Sequence, residues 1–269
     1  MTSSATWAQE ALLPADLGAG LLRTDLGPGV VAGFTTRHGG VSPAPWSSLD
    51  LATSTGDEEA RVRRNREQVS AWVGAPVAFA TQVHRDGVLV LGGPERAAWD
   101  SLTPPLTVGE ADGLVTAESG LGLGVLVADC VPVLLADPVA RVAGVAHAGR
   151  QGVVAGVVDR VVETMFARGA RPEDLRAAVG PAVCGSCYEV PESLRDEVAA
   201  VVPETWATTD AGTPALDLPA GVLARLAALG VAATRLERCT RTDPDLYSHR
   251  QATAAGQVTG RQAGVVVLA

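Results

Sequence analysis

The chain has no lysine: all 21 of its basic residues are arginine. A Schiff-base or lysine-nucleophile mechanism is therefore excluded. Cysteine is sparse, with four residues at 130, 184, 187 and 239, and histidine is equally scarce at four. The first residues carry neither a basic stretch nor an apolar stretch of secretory type. The most apolar run, Leu121 to Ala136, is short for a membrane span and is broken by Asp129 and Pro132. A cytoplasmic, reducing setting is expected, where thiols serve metals or catalysis more often than disulfides. The formal net charge is −9. Proteins that neutralise phosphate backbones carry a basic footprint, so nucleic acid is not an expected partner, nor is a membrane. No internal repeat is visible. G-x-S-x-G, G-x-x-x-x-G-K-[ST] and G-x-G-x-x-G are all missing, which leaves hydrolase-elbow, P-loop and Rossmann readings without support.

What is present is a globular composition, 47% hydrophobic and 19% charged. Residues 1–20, rich in Ala, Gly and Pro, are expected to lie loosely on the surface, and 21–269 to form one domain. Val30–Thr36, Val77–Gln82, Val88–Leu91, Arg141–Ala146 and Val265–Leu268 read as strands. So do the two apolar runs Gly122–Ala128 and Val131–Ala136, whose continuity suits strands buried on both faces. Helical spacing runs from Glu58 to Val73, with Asp57 placed to cap its start. A second helical stripe joins Val153, Val157, Val161, Met165 and Phe166. Leu194–Val202 and Gly221–Leu229 are further helices, and Glu95–Val108, rich in proline, reads as a loop. Strands and helices mix without a βαβ rhythm. An α+β fold follows, with a mixed sheet or a pair of packed sheets and outer helices.

Three predicted strand ends carry His84, Cys130 and His147. Imidazole and thiolate are zinc donors, and a catalytic zinc keeps three protein ligands and one open position. The gaps of 46 and 17 residues match no short zinc pattern, so spacing alone favours the plainer alternative, a buried thiol in a strand and two histidines in surface turns. Asp129, beside Cys130 between two apolar runs, needs a partner, which a metal or a bond to a metal ligand would supply. Arg150, in a glycine-containing loop ahead of a helix, and Arg37, in the turn Arg37-His38-Gly39-Gly40, are placed to clamp a phosphate or a carboxylate, although arginine abounds in this sequence and, taken singly, each reads first as an ordinary surface residue. Cys184-Gly185-Ser186-Cys187 has C-x-x-C spacing but reads as a loop, which favours structure over redox chemistry. A second zinc site from these two and Cys239 would need a fourth ligand, for which His249 is the candidate.

An ordered set of segments resembles the laccase-domain family. It includes Phe34-Thr35-Thr36-Arg37-His38-Gly39-Gly40, Asn65-Arg66, Gln82-Val83-His84 and Ala111-Asp112-Gly113. Further along come Ala128-Asp129-Cys130-Val131-Pro132, Ala146-His147-Ala148-Gly149, Tyr188-Glu189-Val190, Cys239-Thr240, Tyr247-Ser248-His249-Arg250 and Thr259-Gly260-Arg261. The resemblance implies a single-domain α/β/β/α sandwich with Zn2+ on His84, Cys130 and His147. It implies phosphorolysis of purine nucleosides (adenosine, inosine, guanosine, methylthioadenosine) and deamination of adenosine, so the expected partners are a small-molecule nucleoside and phosphate. Cys130, Asp129 and Arg37 are then the candidate catalytic residues, and Arg37, His38 and Arg150 the candidate phosphate or substrate contacts. The chain departs from the family pattern at Asp50, Ser54, Arg150 and Gln151. Other readings are peptidoglycan-precursor editing, a Cys-His hydrolase with Cys130 as nucleophile, and copper polyphenol oxidation. Four histidines cannot furnish several coppers including a type 1 site, which makes copper the weaker choice.

Overall fold

In the computed structural model, residues 20–93 and 106–269 are described. Apart from Gly20, the N-terminal segment expected to be loose lies outside them, as does most of the proline-rich stretch. The first half of the chain contributes β1 (Leu21–Arg23), β2 (Val30–Thr35), α1 (Glu59–Val73), β3 (Val77–Thr81), β4 (Val88–Leu91), β5 (Leu106–Glu110) and β6 (Gly113–Thr116). There follow β7 (Gly122–Val127), β8 (Val131–Asp137), β9 (Val142–Ala148), α2 (Arg150–Ala155), α3 (Val157–Phe166), β10 (Arg176–Val179) and α4 (Glu192–Val201). The last elements are β11 (Trp206–Thr208), β12 (Pro214–Leu216), α5 (Leu218–Ala228), β13 (Ala232–Arg235), α6 (His249–Ala254) and β14 (Gln262–Leu268).

Two six-stranded mixed sheets result, ordered β1-β2-β14-β7-β3-β5 and β13-β10-β8-β9-β6-β4. Side chains alternate between faces along a strand, so a strand buried on both faces must be apolar throughout. β8 and β9 show this directly. Val133, Leu135, Val142 and Ala146 point to the helices, while Leu134, Ala136, Ala143 and Val145 point into the space between the sheets. Likewise β14 sends Val265 and Val267 toward α1, and Val266 and Leu268 toward the other sheet. The layers are α1, sheet, sheet, then α2 to α5: an α/β/β/α sandwich in one domain. Glycine sets the closeness of the outer layer. A Cβ at Gly144 would lie 2.9 Å from Met165 Sδ, and one at Gly113 2.4 Å from Val161 Cγ2, so α3 seats directly on the backbone of β9 and β6.

Four expectations need correction. Asp57 does not cap α1: the N-cap is Glu58, without a side-chain cap bond, and Asp57 accepts the Glu58 N–H at 2.8 Å. The loop expected through Val108 ends earlier, because Leu106–Glu110 pairs in parallel with β3. The long helical stripe is two helices, split at Gly156, whose φ of +85° favours glycine. β9 runs on through Ala148, so His147 lies within a strand and not after it.

Candidate metal centre and adjoining cavity

The chain crosses from one sheet to the other between β3 and β4, and again between β7 and β8. The first crossover carries His84 and the second Cys130, while β9 alongside β8 carries His147. Their ligand atoms all lie within 4.8 Å of one another. Cys130 Sγ is 4.0 Å from His84 Nε2, and the two imidazole rings meet edge-on with centroids 4.7 Å apart. His147 is buried, Cys130 half-buried and His84 exposed, so the cluster opens to solvent on the His84 side. Two-histidine, one-thiolate donation with a solvent-facing position is the donor chemistry of an open zinc site, and the residues present fit the ion.

Asp112 organises two of the three donors. Its carboxylate accepts the backbone N–H groups of Val83, His84 and Arg85 at 3.2, 2.9 and 2.8 Å. Its Oδ1 also lies 2.8 Å from His147 Nδ1, which leaves the opposite ring nitrogen for the cluster. Burial alone would push the Asp112 carboxyl up; the bonds from His147 and from the Arg85 and His84 amides bring it below its ordinary value. His84 takes a φ of +60°, uncommon for a residue with a Cβ, and the three amide bonds into Asp112 hold it there. Gly149 closes the floor: a Cβ on it would stand 3.0 Å from both Cys130 Sγ and His84 Cδ2.

The electrostatics favour an ionised thiol. Burial would raise the Cys130 thiol, but His147 and then His84 bring it down to about 6. Burial would lower His147, but the Cys130 charge and the bond with Asp112 raise it to about 9. Sulfur and ring thus support each other's charged forms.

Asp129, at φ +92°, does not reach the metal donors in the way expected of it. Its partners are the Thr240 hydroxyl at 2.7 Å and the Arg250 N–H at 2.7 Å. The carboxylate bonded to a ligand is Asp112, to which sequence reading assigned no part. Beside Cys130 opens a cavity of about 440 Å³, lined among others by Asp129, Val183, Tyr188, Leu218, His249 and Arg250. The Arg250 guanidinium lies 4.6 Å over the Tyr188 ring. Arg150 stands at the start of α2, near enough to act on the Tyr188 phenol by its charge. α2 is only six residues long, so little dipole adds to that charge. Arg37 and His38 do not line this cavity. Arg37 Nε donates to Ser47 O at 2.8 Å with its guanidinium over Tyr247, and His38 pairs with Asp245 at 2.9 Å.

Sandwich, crossover ligands and cavity together define a single-domain fold built around a two-histidine, one-cysteine centre. Residues 31–269 match the family model described as multi-copper polyphenol oxidoreductase laccase, and the chain belongs to that family. It is 50% identical over 239 residues to a Streptomyces griseus protein named purine nucleoside phosphorylase ORF3, covering 87% of this chain and 93% of that one. It is 44% identical to Mycobacterium tuberculosis purine nucleoside phosphorylase Rv2149c, covering 83% and 87%. Among solved structures it is similar to YlmD from Geobacillus stearothermophilus, with TM-score 0.81, 30% identity and coverage of 96% and 98%. Bacillus licheniformis YfiH is similar at TM-score 0.83, 29% identity and coverage of 94% and 97%. Among the described residues no helix is long and apolar enough to cross a membrane.

Proposed function

We propose that this chain is a purine nucleoside phosphorylase that holds zinc on His84, Cys130 and His147 and also deaminates adenosine. The observation that carries the reading is the convergence of the three donors beside a cavity with an aromatic wall and an arginine, Arg250, stacked on it. The names of the relatives point the same way. Bound there, zinc supplies a Lewis acid for activating water toward the purine C6. The remaining work falls to side chains. Tyr188, Val183 and Leu218 offer the face against which a purine packs. Arg250 and Arg150 bring positive charge to the same wall and are the groups we assign to phosphate. In phosphorolysis a phosphate oxygen bonds to C1′, the C1′–N9 bond breaks, and the base leaves with that electron pair and takes up a proton. Holding phosphate in line with C1′ is the larger part of such catalysis. Asp129, already accepting from Thr240 and Arg250, positions Arg250 in this scheme. Arg37 is the second candidate for phosphate, since among the described residues its terminal nitrogens make no hydrogen bond.

The test is incubation of zinc-loaded protein with inosine and with adenosine, with and without phosphate, followed by chromatography. Free base matched by ribose 1-phosphate, only when phosphate is present, is expected; inosine and ammonia from adenosine are expected without it. Cys130→Ala should lose both. No base from any purine nucleoside would end the phosphorylase reading, and no inosine would remove the deaminase part.

One observation favours a second reading. Asp112, His147 and Cys130 form a carboxylate–imidazole–thiol chain with the thiol at about 6, which also suits a cysteine hydrolase. Activity that survives removal of zinc and is abolished by thiol alkylation would select it.

A further inference from the structure

We propose that Cys184, Cys187 and Cys239 form a second metal site, separate from the first, which takes a thiophilic d10 cation of the zinc type in a bracing role. The three sulfurs lie within 4.8 Å of one another and share no residue with the His84, Cys130 and His147 cluster. Tetrahedral zinc with bonds of about 2.3 Å sets its sulfurs about 3.8 Å apart, so closing the site asks for side-chain rotation and not for backbone movement.

The backbone around the three thiols is already built. Cys187 N and Tyr188 N both donate to Cys184 O at 3.0 Å, a tight turn that keeps the two C-x-x-C thiols near each other. Cys239 arrives from a distant segment and is docked by the Ala182–Cys239 bridge and by Thr240 N donating to Ala182 O at 3.1 Å. The Cys184 N–H points at Cys239 Sγ at 3.5 Å, a bond that favours thiolate over thiol. Arg241, donating to Cys187 O at 2.8 Å, supplies a positive charge beside what would be a net negative metal–trithiolate unit.

His249, the fourth ligand expected from sequence, lines the cavity beside Cys130 instead. Among the described residues no further histidine, cysteine or carboxylate joins the three thiols. All three cysteines are half-buried, which leaves the fourth position to water. The segments so joined are those that frame the first site. Val183 donates to Asp129 O, Thr240 holds the Asp129 carboxylate, and Tyr188 lines the cavity. A cation here ties residues 183–188 to 239–240 behind the cavity wall.

The test is zinc content by elemental analysis on full-length protein purified without added metal or chelator. Two equivalents per chain are expected, one after Cys130→Ser, one after Cys239→Ser, and none in the double variant. One equivalent in the unmodified chain, unchanged by Cys239→Ser, would overturn the site. Should Cys239→Ser fail to fold, cobalt(II) added to the metal-free Cys130→Ser protein decides. Intense sulfur-to-cobalt charge transfer supports the site, and its absence rejects it. Thiols are counted in denaturant without reductant: four per chain are expected, and two fewer would mean a disulfide instead of a metal site.

Discussion

Asp112 is a buried carboxylate that faces four donors, and each has a structural consequence. Three amides from residues 83 to 85 fix the turn that presents His84, and the fourth partner fixes the ring of His147. Bonds to ligands from outside the coordination sphere typically control metal affinity by about 10- to 100-fold. Gly149 acts on the same donors by shape. Its φ of −75° and ψ of 170° are open to any residue, so alanine there adds no backbone strain, only a methyl 3.0 Å from Cys130 Sγ and His84 Cδ2. Gly149→Ala is expected to weaken zinc binding about tenfold or more while the metal-free protein keeps its melting temperature. Competition with a chromophoric chelator measures this. Unchanged affinity would mean that the donors have room to spare. The donors themselves were legible as residue types near predicted strand ends, although His147 lies inside β9. Asp112 was not: its partners come from 83–85 and from 147, and nothing local to Ala111-Asp112-Gly113 announces them.

The loop between β2 and α1, which carries Arg37 and His38, is held by polar residues on the buried face of α1. Asn65 donates to Ser42 Oγ and Asp50 O at 2.8 Å and accepts from Val41 N at 2.9 Å. Arg66 Nε donates to Leu51 O at 2.7 Å while its guanidinium covers Phe79. The Asn65-Arg66 pair is therefore scaffolding for the loop. Asp50, one of the departures from the family pattern, sits fully buried in the same frame and accepts from Ala52 N, Arg261 N and the Thr55 hydroxyl. Burial outweighs these bonds, so its carboxyl is raised above the ordinary value. The folded chain then binds more protons at Asp50 than the unfolded chain, and stability falls as pH rises through the folded value. Asparagine does not titrate and could keep all three partners, with its amide donating to Thr55 while Thr55 donates to Ala52 O. Asp50→Asn is expected to melt no lower than the unmodified chain at neutral pH, with an advantage that shrinks on acidification. Thermal scans of both proteins from pH 4 to 8 check it, and an advantage that grows toward acid would contradict the assignment. At this scale the sequence served best where strands are apolar throughout, as in β7 and β8. It served worst where a single glycine, Gly156, breaks a continuous valine stripe, or where β5 starts in proline-rich surroundings.

Across the molecule, the candidate centre lies where the two sheets exchange chain. β3 and β7 belong to one sheet and β4, β8 and β9 to the other. His84 and Cys130 are the residues in transit between them, and His147 anchors both to the second sheet. A cation held by all three would cross-link two crossovers at one end of the sandwich, adding to the apolar layer that already joins the sheets. Such a cation binds only the folded arrangement, so it stabilises by mass action, about 4 kcal/mol at a free concentration 1,000 times Kd. For a domain of this size that corresponds to a rise of about 10 °C in melting temperature. Measured in the Cys239→Ser background, which removes the trithiolate site, zinc is expected to raise the melting temperature by that order in one cooperative step. In the Cys130→Ser, Cys239→Ser double variant the rise should vanish. A shift of equal size in both proteins would mean that zinc stabilises the chain through groups other than the crossover ligands. The sandwich would then hold together independently of its candidate centre.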